Sequence, residues 1–182
     1  SGKGTNAESI IHHFKNHPSV KVALVVTNNP QAGVLKVAHS NKIISAIVSK
    51  EFLNNEDKML RLLKIQNIDA IVLAGFLQLI PRFLLQKFPK HIINIHPALL
   101  PKHGGKGMYG IKVHEAVIAG KETETGITIH YVNEHYDEGE VIMQKKITVT
   151  SSDTLETISQ KVLALEHEWY PKTIELLVGQ TF

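Results

Sequence analysis

An α/β fold, with a mostly parallel, doubly wound sheet in one domain spanning residues 1–182, is predicted by three observations. Apolar β-branched runs alternate with amphipathic ones along the 182 residues, as when strands are joined by crossover helices. Several of those runs are nearly unbroken, the mark of strands covered on both faces. Clusters of Gly, Pro and Asn fall between the runs, where chain reversals are needed.

The elements follow in order. Val20 to Val26 reads as a strand stopped by Asn28-Asn29-Pro30, Gly33 to Asn41 as a short helix, and Ile43 to Val48 as a second strand. Met59, Leu62, Leu63 and Ile65 give residues 54–66 one apolar helical face. Asp69 to Ala74 is a buried strand ended by Gly75, and Pro81 opens a helix running to Lys87. His91 to His96 is the next strand. Residues 97–110, with two prolines and four glycines, form a long irregular loop of the kind that is functional or mobile. Lys112 to Ala119 is a helix ended by Gly120. Ile127–Val132 and Val141–Thr150 are strands joined by residues 133–140. Asp153 with Glu156 predicts a capping box. The helix it opens carries Ile158, Val162, Leu165 and Trp169 on one stripe, and Pro171 is expected to kink or break it near Tyr170.

Composition narrows the function classes. The 43% hydrophobic and 20% charged residues are those of an ordinary globular protein, and no apolar run approaches the ~20 residues of a membrane span. The absence of cysteine excludes a disulfide framework and a thiolate nucleophile, and agrees with a cytoplasmic location. The net charge of +3 is spread without a basic run, so neither nucleic acid nor membrane is an expected partner. Eleven histidines occur, but without metal-ligand spacing, and no metal is expected.

The segment with most chemistry is Asn94-Ile95-His96-Pro97-Ala98-Leu99-Leu100-Pro101. Residues i and i+2 of a strand share a face, so Asn94 and His96 project side by side. Pro97 keeps His96 extended, and strand carboxyl ends of such sheets face the ligand crevice. An amide donor beside an imidazole can stabilise an oxyanion and move a proton, which points to acyl chemistry. Asp137 lies in an acidic connection that alone reads as a solvated turn. The site nevertheless needs a carboxylate to orient the imidazole. Gly4, Thr5 and Asn6 end a glycine-containing stretch beginning at Ser1. It fits a phosphate site at a helix N-terminus, a dinucleotide fingerprint, or a plain turn capped by Thr5 or Asn6. The dinucleotide reading wants an acid about 20 residues on, where Thr27, Asn28 and Asn29 stand. No strand precedes this loop in the sequence, so a first strand is expected to be missing from the chain. Glu166 borders the apolar stripe of the last helix, either as a solvated edge or as a partly buried carboxylate able to bind an amine.

Taken together, Ser1-Gly2, Gly4-Thr5-Asn6, Ala74-Gly75-Phe76, Asn94 to Pro101, Thr125 to His130, Asp137-Glu138-Gly139, Glu166-His167 and Tyr170-Pro171 occur in an order that resembles the folate-dependent phosphoribosylglycinamide formyltransferases of purine biosynthesis. The resemblance covers essentially the whole chain. It implies a Rossmann-like formyltransferase fold, with formyl transfer from 10-formyltetrahydrofolate as co-substrate to the amine of glycinamide ribonucleotide. It implies catalysis by Asn94, His96 and Asp137, with His96 protonated, and ribonucleotide binding by Gly4, Thr5, Asn6, Pro97 and Glu166. It implies a folate cleft of Leu77, Gln78, Leu79, Ile80, Asn133, Glu134, His135, Tyr136 and Asp137. Gln78 and residues 133–136 depart from the commonest family pattern, and His103 to Gly110 is longer than the usual turn. The expected assembly is a monomer or homodimer. A non-catalytic nucleotide-binding module and a formyltetrahydrofolate hydrolase are the alternatives.

Overall fold

The computed structural model describes residues 4–179, so Ser1, Gly2 and Lys3 of the glycine-containing stretch lie outside the described residues. Helix α1 (Thr5–Phe14) leads to strand β1 (Leu24–Thr27), α2 (Gly33–Ser40) and β2 (Ile44–Ile47). Next come α3 (Lys50–Leu53), α4 (Glu56–Ile65), β3 (Ile71–Leu73), α5 (Arg82–Lys87) and β4 (Ile92–His96). Helix α6 (Ile111–Ala119), β5 (Glu124–Tyr131), β6 (Val141–Thr148) and α7 (Leu155–Val178) complete the order. Strands β1 and β2 pair in parallel, as do β3 and β4; β5 and β6 then extend the second ladder antiparallel. No helix among the described residues is long and apolar enough to cross a membrane.

Alternation along β4 distributes its neighbours to two sides. Ile93 and Ile95 pack with Ile10 and Phe14 of α1 and with Ile158, Val162, Tyr170 and Ile174 of α7. Ile92 packs oppositely, with Leu73, with Met59 and Leu63 of α4, and with Leu84 of α5. A third cluster seats α1 on α2 through Ile11, Val25, Val34 and Ala38. Helices therefore cover both faces, the doubly wound arrangement.

The first strand is shorter than its apolar run. Val20 and Val22 pack against the core without a ladder, because pairing begins only where Leu24 meets Ile44. The short α3 was not expected; the Ser49 hydroxyl accepts from Phe52 N–H and caps it. The capping box of α7 is one residue further on than Asp153 and Glu156. Thr154 accepts from Thr157 N–H, and Thr157 accepts from Thr154 N–H. Asp153 instead takes the Lys161 ammonium and the Thr157 hydroxyl.

Pro171 does not break α7, which runs on to Val178. A proline leaves the carbonyl four residues earlier without its helical donor. That carbonyl belongs to His167, and Ser9 of α1 donates its hydroxyl to it at 2.8 Å. Ser9→Ala should then cost ~1–2 kcal/mol through the carbonyl left unmet. Urea unfolding measures this; an unchanged midpoint would show that water satisfies the carbonyl equally well.

Candidate functional site

Strand β4 delivers Asn94 and His96 at its carboxyl end, and the antiparallel partner β5 sets His130 opposite Asn94 and Thr128 opposite His96. His96 is buried between two acceptors. Its Nε2 donates to the His103 carbonyl at 2.8 Å, and its Nδ1 lies 3.4 Å from Asp137 Oδ2. Asp137 reaches this position from the β5–β6 connection with a left-handed φ of 57°, a conformation Asp tolerates better than most residues. Gly105 N–H donates to its Oδ2 at 2.9 Å. The long loop is thus tied to both groups, by a carbonyl to the imidazole and by an amide to the carboxylate.

Burial pushes His96 below the ordinary histidine pKa, against the opposing pull of Asp137 and the His103 carbonyl. The resting ring is therefore neutral near pH 7. With Nε2 donating to a carbonyl, the neutral ring leaves Nδ1 bare before a carboxylate. Asp137 accepts a hydrogen bond from this ring only when Nδ1 takes a second proton. Burial raises the Asp137 pKa, but the polar groups around it, the Gly105 amide among them, outweigh it, so the net shift is downward. The carboxylate stays ionised.

Glu166 is buried, not a solvated edge of α7. Asn6 of α1 donates its Nδ2 to Glu166 Oε2 at 2.9 Å, while Asn6 Oδ1 is buried without a partner among the described residues. Burial raises the Glu166 pKa more than the Asn6 bond lowers it. A desolvated carboxylate with no ion pair among the described residues would gain from a cation. Gly4 forms the N-cap of α1 at φ 73°, and among the described residues no side chain caps that end, neither Thr5 nor Asn6. The first-turn N–H groups are left for an anion. A Cβ at Gly4 would crowd Val34 of α2, so this glycine is also needed for helix packing.

Pro97 is half-buried just beyond His96. Of the residues expected to line the folate cleft, Leu77 and Leu79 are exposed and Gln78 is half-buried, whereas Ile80 belongs to the core beside Leu53 and Leu84. Asn133, Glu134, His135 and Tyr136 form a turn in which Asn133 Oδ1 accepts from His135 N–H. Arg82 at the start of α5 pairs with Glu134 at 3.1 Å, which draws this turn towards the Leu77–Ile80 segment.

Two buried histidines were missed. His130 Nε2 lies 3.2 Å from Asn94 Nδ2 and 3.6 Å from Asp137 Oδ1. The available signal was polar Thr128 and His130 alternating with Ile127 and Ile129, which puts both on the β4 partner's polar side. His114 of α6 is buried with Nδ1 unpartnered among the described residues, and burial lowers its pKa, with the His96 ring adding to the shift.

The family described as formyl transferase matches residues 1–174. A Bacillus subtilis (strain 168) protein named phosphoribosylglycinamide formyltransferase is 40% identical over 184 residues, covering 98% of this chain and 92% of its own. An Arabidopsis thaliana protein named phosphoribosylglycinamide formyltransferase, chloroplastic, is 41% identical over 96% of this chain. The match spans 62% of that plant protein, so the chain corresponds to about three-fifths of its length. A crystal structure of phosphoribosylglycinamide formyltransferase from Anaplasma phagocytophilum superimposes with a TM-score of 0.89 at 32% identity, covering 99% of this chain and 84% of that one. The corresponding Bacillus halodurans structure gives 0.88 at 35%, over 100% and 94%. On the match to residues 1–174 and on these relatives, the chain belongs to the formyl transferase family.

Proposed function

We propose that this chain transfers the formyl group of 10-formyltetrahydrofolate to the amine of glycinamide ribonucleotide, the step in de novo purine biosynthesis for which the relatives are named. The observation that carries the reading is the convergence of Asn94, His96 and Asp137 at the carboxyl end of β4, and the buried carboxylate of Glu166 on α7 supports it. An oxyanion donor, a proton carrier and its carboxylate suit acyl transfer. A buried carboxylate with no ion pair among the described residues suits an amine acceptor.

The folate supplies the formyl group, and its flat heterocycle would lie against the exposed Leu77 and Leu79 and the backbone of residues 133–137. The amine nitrogen attacks the formyl carbon, and the carbon's bond to the folate nitrogen breaks. The amine loses a proton and the departing folate nitrogen gains one. Negative charge on the formyl oxygen is met by the Asn94 amide and by His96 Nε2–H, for which the oxygen competes with the His103 carbonyl. Developing charge favours a second proton on His96 Nδ1, held by Asp137. The protonated His96 expected from the sequence is thus assigned to the reacting state and not to the resting one. Gly4, Thr5 and Asn6 at the N-terminus of α1 would take the phosphate, and Pro97 would border the ribonucleotide. With no cysteine and no covalent intermediate, proximity of two bound substrates supplies much of the remaining acceleration.

A folate absorbance assay tests this reading. Mixed with 10-formylfolate cofactor, the protein should deformylate it only when glycinamide ribonucleotide is present. Formate release at equal rates without acceptor would mean a hydrolase, and no reaction would mean a binding module. Glu166→Ala should raise the acceptor KM by roughly 10–100-fold, matching the ~1.5–3 kcal/mol of a charge-assisted hydrogen bond. Folate affinity should hold. Unchanged acceptor kinetics would remove Glu166 from the amine site.

A further inference from the structure

We propose that His130 is a positioning residue for this transfer, accepting a hydrogen bond from the Asn94 amide at Nε2 and so fixing which end of that amide faces the reacting carbonyl. The proposal rests on the transferase reading for its kinetic consequence, but not for its geometry. His130 is 2% exposed and is the cross-strand partner of Asn94. Its Nδ1 lies 2.8 Å from the carbonyl oxygen of Tyr131. A ring nitrogen that close to a carbonyl must carry a hydrogen, and a ring with one N–H then has none on Nε2. Nε2 is then a bare acceptor.

An asparagine amide has two unlike ends of nearly equal size, and only the NH2 end can face a bare nitrogen. At 3.2 Å the Asn94 Nδ2 makes that contact. Its second N–H has no partner among the described residues and remains for a carbonyl oxygen. Were the proton on Nε2, the amide oxygen would be drawn to it and the NH2 end displaced from this contact. Asp137 Oδ1, at 3.6 Å from the same Nε2, is too far for a direct hydrogen bond, so Asn94 is the partner.

The surrounding backbone holds the carbonyl that decides the tautomer. The β5–β6 ladder shifts register between Ile129 and His130, and Tyr131 N–H donates to the Glu140 carbonyl at 2.9 Å. A Cβ on Gly139 would overlap the Tyr131 oxygen, so the glycine two residues after Asp137 is what lets the chain pass so close.

His130→Ala should lower kcat by about 10–100-fold, the scale of a misplaced rather than a missing donor, with folate affinity retained. His130→Gln, whose Oε1 replaces the acceptor, should recover part of that loss. In an Asn94→Ala background, His130→Ala should cost little further turnover, whereas a merely structural role predicts that the two losses multiply. Independently of activity, 15N-histidine NMR at about pH 8, above the ordinary histidine pKa of ~6.5, should show the Nδ1–H tautomer at the resonance lost in His130→Gln. An Nε2–H tautomer there, wild-type kcat in His130→Ala, or multiplying losses would each overturn the proposal. Absence of formyl transfer by the wild-type chain together with the Nδ1–H tautomer would overturn the transferase reading, while leaving the Asn94–His130 contact supported.

Discussion

Asn94→Ala and His96→Ala should each lower turnover by ~10²–10³, the ordinary cost of removing one oxyanion donor. Both side chains stand at the carboxyl end of β4, and neither is needed to fill the core made by Ile92, Ile93 and Ile95. Their loss should therefore appear in kcat, measured by the folate absorbance change at saturating acceptor, with folate binding little altered. The two variants differ in one respect. Asn94→Ala leaves His130 Nε2 without its donor, while His96→Ala frees the His103 carbonyl and so loosens the long loop as well. Near-normal turnover in either variant would remove that residue from the chemistry.

Asp137→Asn should have an effect of similar size, ~10²–10³ in kcat, for a different reason. The amide oxygen can still accept from Gly105 N–H, so the loop stays attached. What disappears is the negative charge 3.4 Å from His96 Nδ1, which makes a second proton on that buried ring tolerable. General acid–base assistance is worth ~10²–10⁴, so most of it should go. Thermal unfolding should move little. A large fall in melting temperature with turnover preserved would make Asp137 a loop anchor and nothing more.

Much of this was legible in the residues. The pairing of Asn94 with His96 follows from strand periodicity, and Pro97 kept the strand extended through the histidine; β4 ends at His96 as that argument requires. The alternating runs gave the helices and strands with errors at the ends, because a run such as Val20–Val26 records burial, whereas a ladder also needs a neighbour. Asp137 was placed by chemical need more than by pattern. His130 was not found, since its alternation with Ile127 and Ile129 marks a polar strand face without saying what that face meets; only the β4–β5 register brings it to Asn94. Pro171 misled because the rule about proline concerns one chain segment, and the compensating hydroxyl comes from Ser9, 158 residues away from His167.

That uninterrupted helix has a metrological consequence. Helix α7 is fastened to α1 at two heights, by Ser9 to His167 and by Asn6 to Glu166, and to the sheet by the Tyr170 hydroxyl on the Leu73 carbonyl at 2.8 Å. The N–H groups opening α1 and the carboxylate of Glu166 are therefore held at a set span, with Asn6 belonging to both ends. A ligand reaching from one to the other is measured against a gauge fixed in advance. An acceptor with the right anion and amine but a longer or shorter body should engage one end only. Little freedom remains to be lost when an acceptor of matching length binds.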